Sequence, residues 1–511
     1  MEGYTNFLWM ALFSAGAKLG LSIPHAAFFG NLLCLAMAIG GTASIVRRMS
    51  PYPCIPFSAL ALAGCSGFAE FGTSGLETMP VAAAVVLGMG ASLRRRGVPF
   101  AGLAFAIAVL LRPDALLLWL GFGLALVVED LFHGEAPNAF RRLRPRRYLA
   151  YAAPLLVVYP TYFAWRWATY GTLVPHTFAV KVPGAYWEQG FFYLAHAVLT
   201  SGGWAWLPAL GVALVGRPVE RGETRIRSFA AIALPLFCLY LAYVGGDFME
   251  YRFFVPLFPI AFVATEIGLR RKLRAGSGVR RWLTAAVAVA ALAAVVVPIR
   301  LIGPMEFRWH LAAEHTFYRV RSLFPLEIES PFWIRGKVYG EFFRELGIAP
   351  RFATGGIGMV GYLSDLPIVD SFGLTNERIA RLPVKERGRP GHERVADLDT
   401  LLEEGAVLTT DFYWPDEVIT LSMGMVDDVP LLFLQYDPEL LRALSRRPDS
   451  MLPDPEEDLR AVISQEHPLP VLEQVLAFYE RFLRRHPDRE ALLDRIRARI
   501  EEARRASSSA P

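Results

Sequence analysis

The chain has 511 residues, of which 54% are hydrophobic and 20% are charged. It is too long for one ordinary soluble domain and too apolar for two, which favours a polytopic membrane protein. The 52 basic and 48 acidic residues leave a net charge of only +4, so the chain has no basic footprint for nucleic acid. All four cysteines precede residue 300, which excludes a disulfide-stapled secreted module and a cysteine zinc site. They are Cys34, Cys54, Cys65 and Cys238.

The apolar runs predict a helical membrane module over 1–300, followed by a more polar C-terminal half. Within that half we predict an extracytoplasmic α/β domain over 301–468, then a helix pair with a frayed tail over 469–511. Ten membrane spans are predicted, although several are shorter than the roughly 20 residues that a perpendicular span needs. Their approximate bounds are 26–46, 55–71, 78–93, 98–111, 115–130, 148–166, 203–216, 228–245, 253–269 and 282–300.

The first apolar segment, Tyr4 to Gly20, has two placements. It either crosses the bilayer or lies along the outer interface, and we favour the interface. Polar residues at its start and the rings of Trp9 and Phe13 suit an interfacial helix, because aromatic side chains prefer the headgroup level.

Basic residues alternate between the links and predict the orientation of the module. The links on one side hold 20 basic residues, from Arg47 to Arg281, whereas the links on the other side hold five. Because positively charged loops stay in the cytoplasm, the second side and the C-terminal half are predicted to lie outside it. The predicted location is therefore the plasma or inner membrane, with several spans.

Four external turns then hold the conspicuous polar side chains of the membrane module. These are Glu77, Arg112, Asp114, His176, Lys181, Asp247, Glu250 and Arg252. Each has a purely structural explanation, such as a capping box at Ser74 and Glu77 or snorkelling of Arg252 and Lys181. Their collection at one membrane surface favours a binding site, because polar groups near hydrocarbon are costly.

Carboxylates and cations together at an outer interface suit a lipid phosphate whose tail stays in the bilayer. We expect Lys181, Arg252 and Arg112 to contact the phosphate. Glu77, Asp114 and Asp247 are expected to contact a sugar or to shape the site, with His176 also in the binding set. The sequence has no helical His/Glu ligand pair, so no cofactor is predicted, and a divalent metal is not excluded.

At these residues the sequence resembles GT-C membrane glycosyltransferases, in the branch of terminal arabinofuranosyltransferases and the flagellar motor control protein ZomB. The resemblance extends in family order from residue 1 to about 393. The matching stretches are EGYTNFLW (2–9), SGLET (74–78), RPD (112–114), YGTLVPHTFAVK (170–181), GGDFMEYRFFVP (245–256), VDSFGLTNERIA (369–380) and RPGHE (389–393).

This resemblance implies transfer of a sugar, with arabinofuranose the first expectation, from a polyprenyl-phosphate donor to an external glycan with inversion. Family members begin with a further helix and an external loop that supplies the catalytic carboxylate. The chain begins at Met1 where the family has valine. We therefore expect that Met1 is an alternative start and that the catalytic residue, unknown in this chain, lies upstream.

The C-terminal half has strand-like runs at 351–354, 367–371, 406–410 and 429–435, and a helix pair at 471–485 and 489–505. Gly356 to Gly361 fits G-x-G-x-x-G, but Asp370 follows too soon for a full βαβ unit, so we expect tight turns rather than a dinucleotide site. On the acceptor side, Asp370, Asn376 and His392 are candidates for a glycan groove, and turn and salt-bridge roles fit them equally well.

The sequence therefore predicts a membrane glycosyltransferase whose partners are the lipid bilayer, a polyprenyl-phosphate sugar and an envelope glycan, with no nucleic acid. Two alternatives stay open. A non-catalytic scaffold for motility or envelope assembly would need no catalytic loop. A transporter would place ionisable residues in broken helices at mid-membrane.

Overall fold

The protein is described by a computed structural model that is mostly helical (66%), with small sheets in its C-terminal region. The structure describes residues 3–50, 55–173, 175–181, 184–297, 299–304, 306–313, 316–384, 386–410, 423–426, 429–446, 452–465 and 467–508.

Helices make up the first 300 residues. They are α1 (Phe7–Lys18), α2 (Ile23–Met49), α3 (Phe57–Gly64), α4 (Ser66–Phe71), α5 (Thr78–Ser92), α6 (Val98–Leu111), α7 (Ala115–His133), α8 (Ala139–Arg142), α9 (Pro145–Tyr170), α10 (His176–Lys181), α11 (Trp187–Thr200), α12 (Gly203–Leu214), α13 (Arg221–Val244), α14 (Leu257–Ala275) and α15 (Gly278–Val296). Among the described residues, α2, α7, α13 and α15 are long and apolar enough to cross a membrane, and the bent pair α11–α12 gives a fifth candidate. These helices fit a membrane protein, while the count of ten spans stays a prediction.

Helix α11 was not predicted as a separate element. It meets α12 at an angle of 89°. Gly202 makes the bend, because its φ of +71° is a left-handed conformation and a Cβ there would lie 2.2 Å from the carbonyl oxygen of Ala294. The glycine thus allows the corner to pack directly against the backbone of α15.

Helix α1 packs against α2 and α6. Its 12 residues span about 18 Å at 1.5 Å per residue, less than the ~30 Å hydrocarbon layer. The indole of Trp9 donates a hydrogen bond to the carbonyl oxygen of Gly75 at 2.9 Å. The interfacial placement of α1 stays a prediction.

The C-terminal region contains two hairpins and a five-stranded sheet. Its strands are β1 (Phe307–Arg308), β2 (Leu311–Ala312), β3 (Arg319–Leu323), β4 (Leu326–Glu329), β5 (Phe352–Thr354), β6 (Ile368–Asp370), β7 (Leu408–Thr409), β8 (Met423–Val426) and β9 (Val429–Phe433). The sheet has the order β6-β5-β7-β9-β8, in which β5 is parallel to β6 and β7, and β9 is antiparallel to β7 and β8. Four of these strands coincide with predicted runs, and β8 was not predicted.

Helices flank this sheet. They are α16 (Pro331–Leu346), α17 (Ile357–Ser364), α18 (Glu377–Ala380), α19 (Leu398–Glu403), α20 (Pro438–Leu444), α21 (Pro455–Ser464), α22 (Leu469–Phe482) and α23 (Arg489–Ser508). Phe478 of α22 and Ile496 of α23 share one hydrophobic core with Phe352 of the sheet. The terminal helix pair is therefore packed as part of the same unit as the sheet.

The hydrophobic contacts divide the chain slightly later than Arg300. Ile302, Leu311 and Ala313 belong to the core of the helical half. Backbone bonds reinforce this contact, since Ala312 N donates to Phe248 O at 2.8 Å and Glu250 N donates to Ala312 O at 3.2 Å. The first hairpin is consequently attached to the turn after α13.

The glycine motif lies between β5 and β6, which are too close in the sequence for a full-length βαβ unit, as predicted. The two strands are parallel and α17 connects them, so a short βαβ unit does exist before Asp370. A Cβ at Gly355 would lie 2.2 Å from the ring of Phe372, and one at Gly356 would lie 2.5 Å from the ring of Phe332. Close contact with an aromatic ring therefore explains Gly356, the first glycine of the motif, and its neighbour Gly355. A Cβ at Gly358 would meet nothing within 4 Å, and one at Gly361 would lie 3.3 Å from the side chain of Ile368.

Candidate functional site

Five of the seven predicted donor-site residues meet in one ion network. Arg252 donates to Glu77 at 3.0 Å and to Asp247 at 3.2 Å. Arg112 forms a bidentate pair with Asp114 at 2.7 and 3.0 Å and approaches Glu77 at 3.7 Å. Glu77 therefore joins two arginines that belong to turns far apart in the sequence.

The network is buried, and its formal charge is negative. All five side chains are less than 15% exposed, and three carboxylates against two guanidinium groups leave a charge of −1. Burial by itself would raise the pKa of Glu77, but Arg252 and Arg112 lower it to about 2, so this carboxylate is ionised at neutral pH. The two arginines are thus already neutralised by carboxylates of the protein.

Local structure explains how these side chains come together. Glu77 directly precedes α5, and its carboxylate makes no capping bond to that helix, contrary to the capping-box alternative. It accepts instead from the Asn6 amide at 3.2 Å. Arg112 ends α6 and stacks over the ring of Phe253 at 4.5 Å. The Nε of Arg252 is a buried donor with no partner among the described atoms.

Glu250 belongs to a different pair. Its carboxylate lies 2.5 Å from Nε2 of His196 on α11, and both residues are buried. The His196 Nδ1 has no partner in the described structure. Sequence reasoning did not single out His196, because nothing in its apolar helix marks it as the partner of a residue 54 positions later.

The side chains of His176 and Lys181 lie outside the described part of the structure. The backbone of their helix, α10, packs against α18, and Arg394 donates to the carbonyl oxygen of Val180 at 3.0 Å. The turn that holds both candidates therefore contacts the C-terminal region.

Arginines of the C-terminal region lie over the turn that contains Asp247 and Arg252. Arg389 stacks on the rings of Phe248 at 4.1 Å and Phe307 at 4.6 Å. Arg387 lies 5.1 Å from the ring of Tyr186 and pairs with Glu393 at 3.3 Å. The stretch RPGHE was recognised in the sequence, but these arginines were not predicted as site residues.

The acceptor-side candidates have different surroundings. The ring of His392 lies between Phe248 and Phe372, at 4.8 and 4.7 Å from their centroids. Asp370 accepts from the backbone of Phe372 at 3.0 Å and of Thr375 at 2.6 Å, which is a turn role.

Asn376 caps α18 by accepting from the backbone of Ile379 at 3.1 Å, and its amide donates to Glu404 at 2.9 Å. His392 thus adjoins the turn after α13, whereas the polar contacts of Asp370 and Asn376 fit the structural alternative.

Stretches from the whole resemblance converge on this region. The Tyr4 hydroxyl lies 3.0 Å from that of Tyr170, and a Cβ at Gly3 would lie 2.4 Å from the side chain of Thr375. These two contacts, the ion network and the contacts of the RPGHE stretch bring all seven stretches of the family resemblance into one neighbourhood. We call this neighbourhood, from the ion network to Arg387 and Arg394, the convergence site.

Part of the chain matches a known family model. A model described as a domain of unknown function (DUF8728) matches residues 338–433. This segment contains Asp370, Asn376 and His392 together with all five strands of the sheet. No curated protein matches the chain.

Proposed function

We propose that the protein is a membrane glycosyltransferase of the GT-C type, which moves a sugar from a polyprenyl-phosphate donor to an envelope glycan outside the cytoplasm. The observation behind this proposal is the convergence site, where stretches from the two halves of the chain meet. Arabinofuranose is the donor sugar that the family resemblance favours.

The charges of the convergence site suit a donor with one phosphate. The ion network has a charge of −1, and Arg387, Arg389 and Arg394 against Glu393 add +2. The resulting +1 complements a phosphodiester, and guanidinium groups form strong charge-assisted hydrogen bonds with phosphate oxygens. We therefore assign the phosphate to Arg389 and Arg394, and the sugar hydroxyls to the buried carboxylates.

A neighbouring cleft is suited to the apolar tail of such a donor. It has a volume of about 240 Å³ and lies between the start of α2, the second hairpin and α17. Its lining includes Phe28, Leu363 and the turn residues Ser74 and Gly75, which precede Glu77. An isoprenoid chain would bury apolar surface there while its phosphate lay on the polar side of the same turn.

The chemistry of the proposal is general acid–base catalysis with electrostatic stabilisation. A carboxylate deprotonates the acceptor hydroxyl, which attacks the anomeric carbon while the lipid phosphate leaves with both electrons of the broken bond. Cations stabilise the charge on the departing phosphate. We assign binding and charge stabilisation to the residues of the convergence site and no general base among them.

Donor binding tests the proposal without requiring turnover. Purified protein should bind radiolabelled farnesyl-phosphate arabinofuranose saturably, and Arg389→Ala should weaken that binding about tenfold. Arg381→Ala is the matched control, because Arg381 is an exposed arginine of the same region, paired with Glu377. No saturable binding, or equal losses in the two variants, would contradict the proposal and leave the scaffold alternative.

A transporter is the second candidate, because of the bend between α11 and α12. Broken helices with buried ionisable groups are typical of transporters, and His196, which pairs with Glu250, lies four residues before the end of α11. Proton flux into proteoliposomes that is abolished by His196→Gln would support this candidate. Equal flux in wild type, variant and empty vesicles would remove it.

A further inference from the structure

The opposite end of the helical half contains a cleft that the proposed function does not use. It lies between the ends of α2 and α14 and the start of α13, with a volume of about 460 Å³. Val46, Met49 and Ile267 give it an apolar wall. Helix α5 separates the two ends of the module, since it begins beside Glu77 of the ion network and ends at Ser92, next to the arginine-rich links.

The other wall of the cleft is basic. Arg270, Arg271 and Arg274 line it and follow one another along the last turns of α14. Arg274 is exposed and donates to the Ser50 hydroxyl at 2.9 Å. Arg271 is partly exposed, with 33% of its side chain accessible, and donates to Glu223 at 3.1 Å.

Buried carboxylates hold Arg270 and Arg271 in place. Glu223 accepts from Arg227 at 2.6 Å and from the backbone of Val219 at 3.1 Å, in addition to Arg271. Glu266 pairs with Arg270 at 2.5 Å and accepts from the Ser58 hydroxyl at 2.6 Å. A guanidinium that is fixed through one edge presents its remaining donors without further loss of side-chain entropy.

The net charge of the lining indicates the charge of the ligand. Three arginines against Glu220 and Glu223 leave +1, which is balanced by one negative charge. A phosphodiester has that charge, whereas inorganic phosphate is a mixture of its monoanion and its dianion at neutral pH. The apolar wall beside the basic wall also matches an amphipathic ligand better than a free ion.

We propose that this cleft binds the phosphodiester headgroup of an anionic phospholipid. Basic pockets between membrane helices at their cytoplasmic ends are suited to such headgroups. The proposed orientation places this end of the module in the cytoplasm, where the leaflet supplies the lipid. The site is separate from the convergence site and does not depend on the donor or on the transfer reaction.

Lipid titrations of the purified full chain in detergent test the proposal. The ligands are short-chain phosphatidylglycerol, short-chain phosphatidylcholine and inorganic phosphate, and the readouts are native mass spectrometry and the thermal unfolding midpoint. We expect one retained phosphatidylglycerol and no retained phosphatidylcholine. Arg274→Ala should weaken phosphatidylglycerol binding about tenfold, and Arg274→Lys should weaken it less.

The matched control is Arg95→Ala, which removes an exposed arginine from the same predicted side but outside the cleft. Arg274 is exposed, so its loss should leave the fold intact. Binding of inorganic phosphate alone, weakened by Arg274→Ala, would keep the phosphate site but assign it to a free ion and overturn the lipid headgroup. Equal effects of Arg274→Ala and Arg95→Ala, or equal retention of both lipids, would overturn the site itself.

Discussion

The ion pair between Glu77 and Arg252 gives a quantitative test of the buried network. Glu77 is 4% exposed, and Arg252 donates to it at 3.0 Å and to Asp247 at 3.2 Å. Arg252→Met leaves three carboxylates around the guanidinium of Arg112, whereas Glu77→Gln leaves each arginine with one carboxylate. Because a stranded buried charge is costly, we expect the free energy of unfolding to fall by about 5 kcal/mol for Arg252→Met and about 3 kcal/mol for Glu77→Gln.

The double variant separates pairing from general damage. It removes both charges at once, so its loss should be smaller than the sum of the single losses by about 2 kcal/mol or more. The assay is reversible unfolding in mixed micelles, followed by tryptophan fluorescence. The same cycle on Arg321 and Glu329, an exposed pair at 2.8 Å, is the control and should show a far smaller coupling. Additive losses at Glu77 and Arg252 would refute the reasoning.

Two further predictions concern stability. Burial and the neighbouring acidic residues raise the pKa of Asp458 to about 6. The folded state therefore loses stability as the pH rises from about 4, where an aspartate of the unfolded chain ionises, to about 6, where the folded protein ionises too. Asp458→Asn should therefore raise the free energy of unfolding by about 1 kcal/mol at pH 7.5, after a discount for partial exposure, and should not raise it at pH 4. Glu501→Gln, at an exposed position, is the control and should change stability little. Scanning fluorimetry measures both variants. Gly246→Ala should lower stability by about 2 kcal/mol or more in the same assay, since φ is +73° and its Cβ would lie 2.4 Å from the Tyr193 ring. Gly211→Ala, where a Cβ meets nothing within 4 Å, is the control, and equal midpoints for the two glycine variants would contradict the strain argument.

The helical segments were readable from the sequence, because hydrophobic runs and arginine-rich links alternate along it. Helix α11 was missed since its break at Gly202 depends on a contact with Ala294 of α15, which no local pattern reveals. Strand β8 was missed for a similar reason, because it is a four-residue strand stabilised by pairing with β9. Short elements of this kind are specified by tertiary contacts rather than by periodicity.

The candidate site was partly predictable. A common membrane surface was enough to group Glu77, Arg112, Asp114, Asp247 and Arg252, but it could not show that the carboxylates already neutralise the two arginines. A further ion network, in which arginines of α9 and α13 pair with a buried carboxylate of α7, was missed altogether. There Arg147 and Arg225 pair with Glu129 at 2.8 and 2.6 Å, in links that the sequence reasoning treated only as markers of orientation. Pairing partners on different helices depend on helix packing, which one sequence does not supply.

Mapping which side of the membrane each end of the helical module faces tests the account most directly, because the sugar donor and the phospholipid headgroup must reach opposite ends. Thr73 and Arg95 are exposed residues near those two ends, in the turn before Glu77 and in the link after α5. Single cysteines at these positions, in a chain without its native cysteines, would be treated with a membrane-impermeant maleimide in intact cells. The account predicts that Thr73→Cys is labelled at once and Arg95→Cys only after permeabilisation. The reverse pattern, or labelling of both in intact cells, would contradict it.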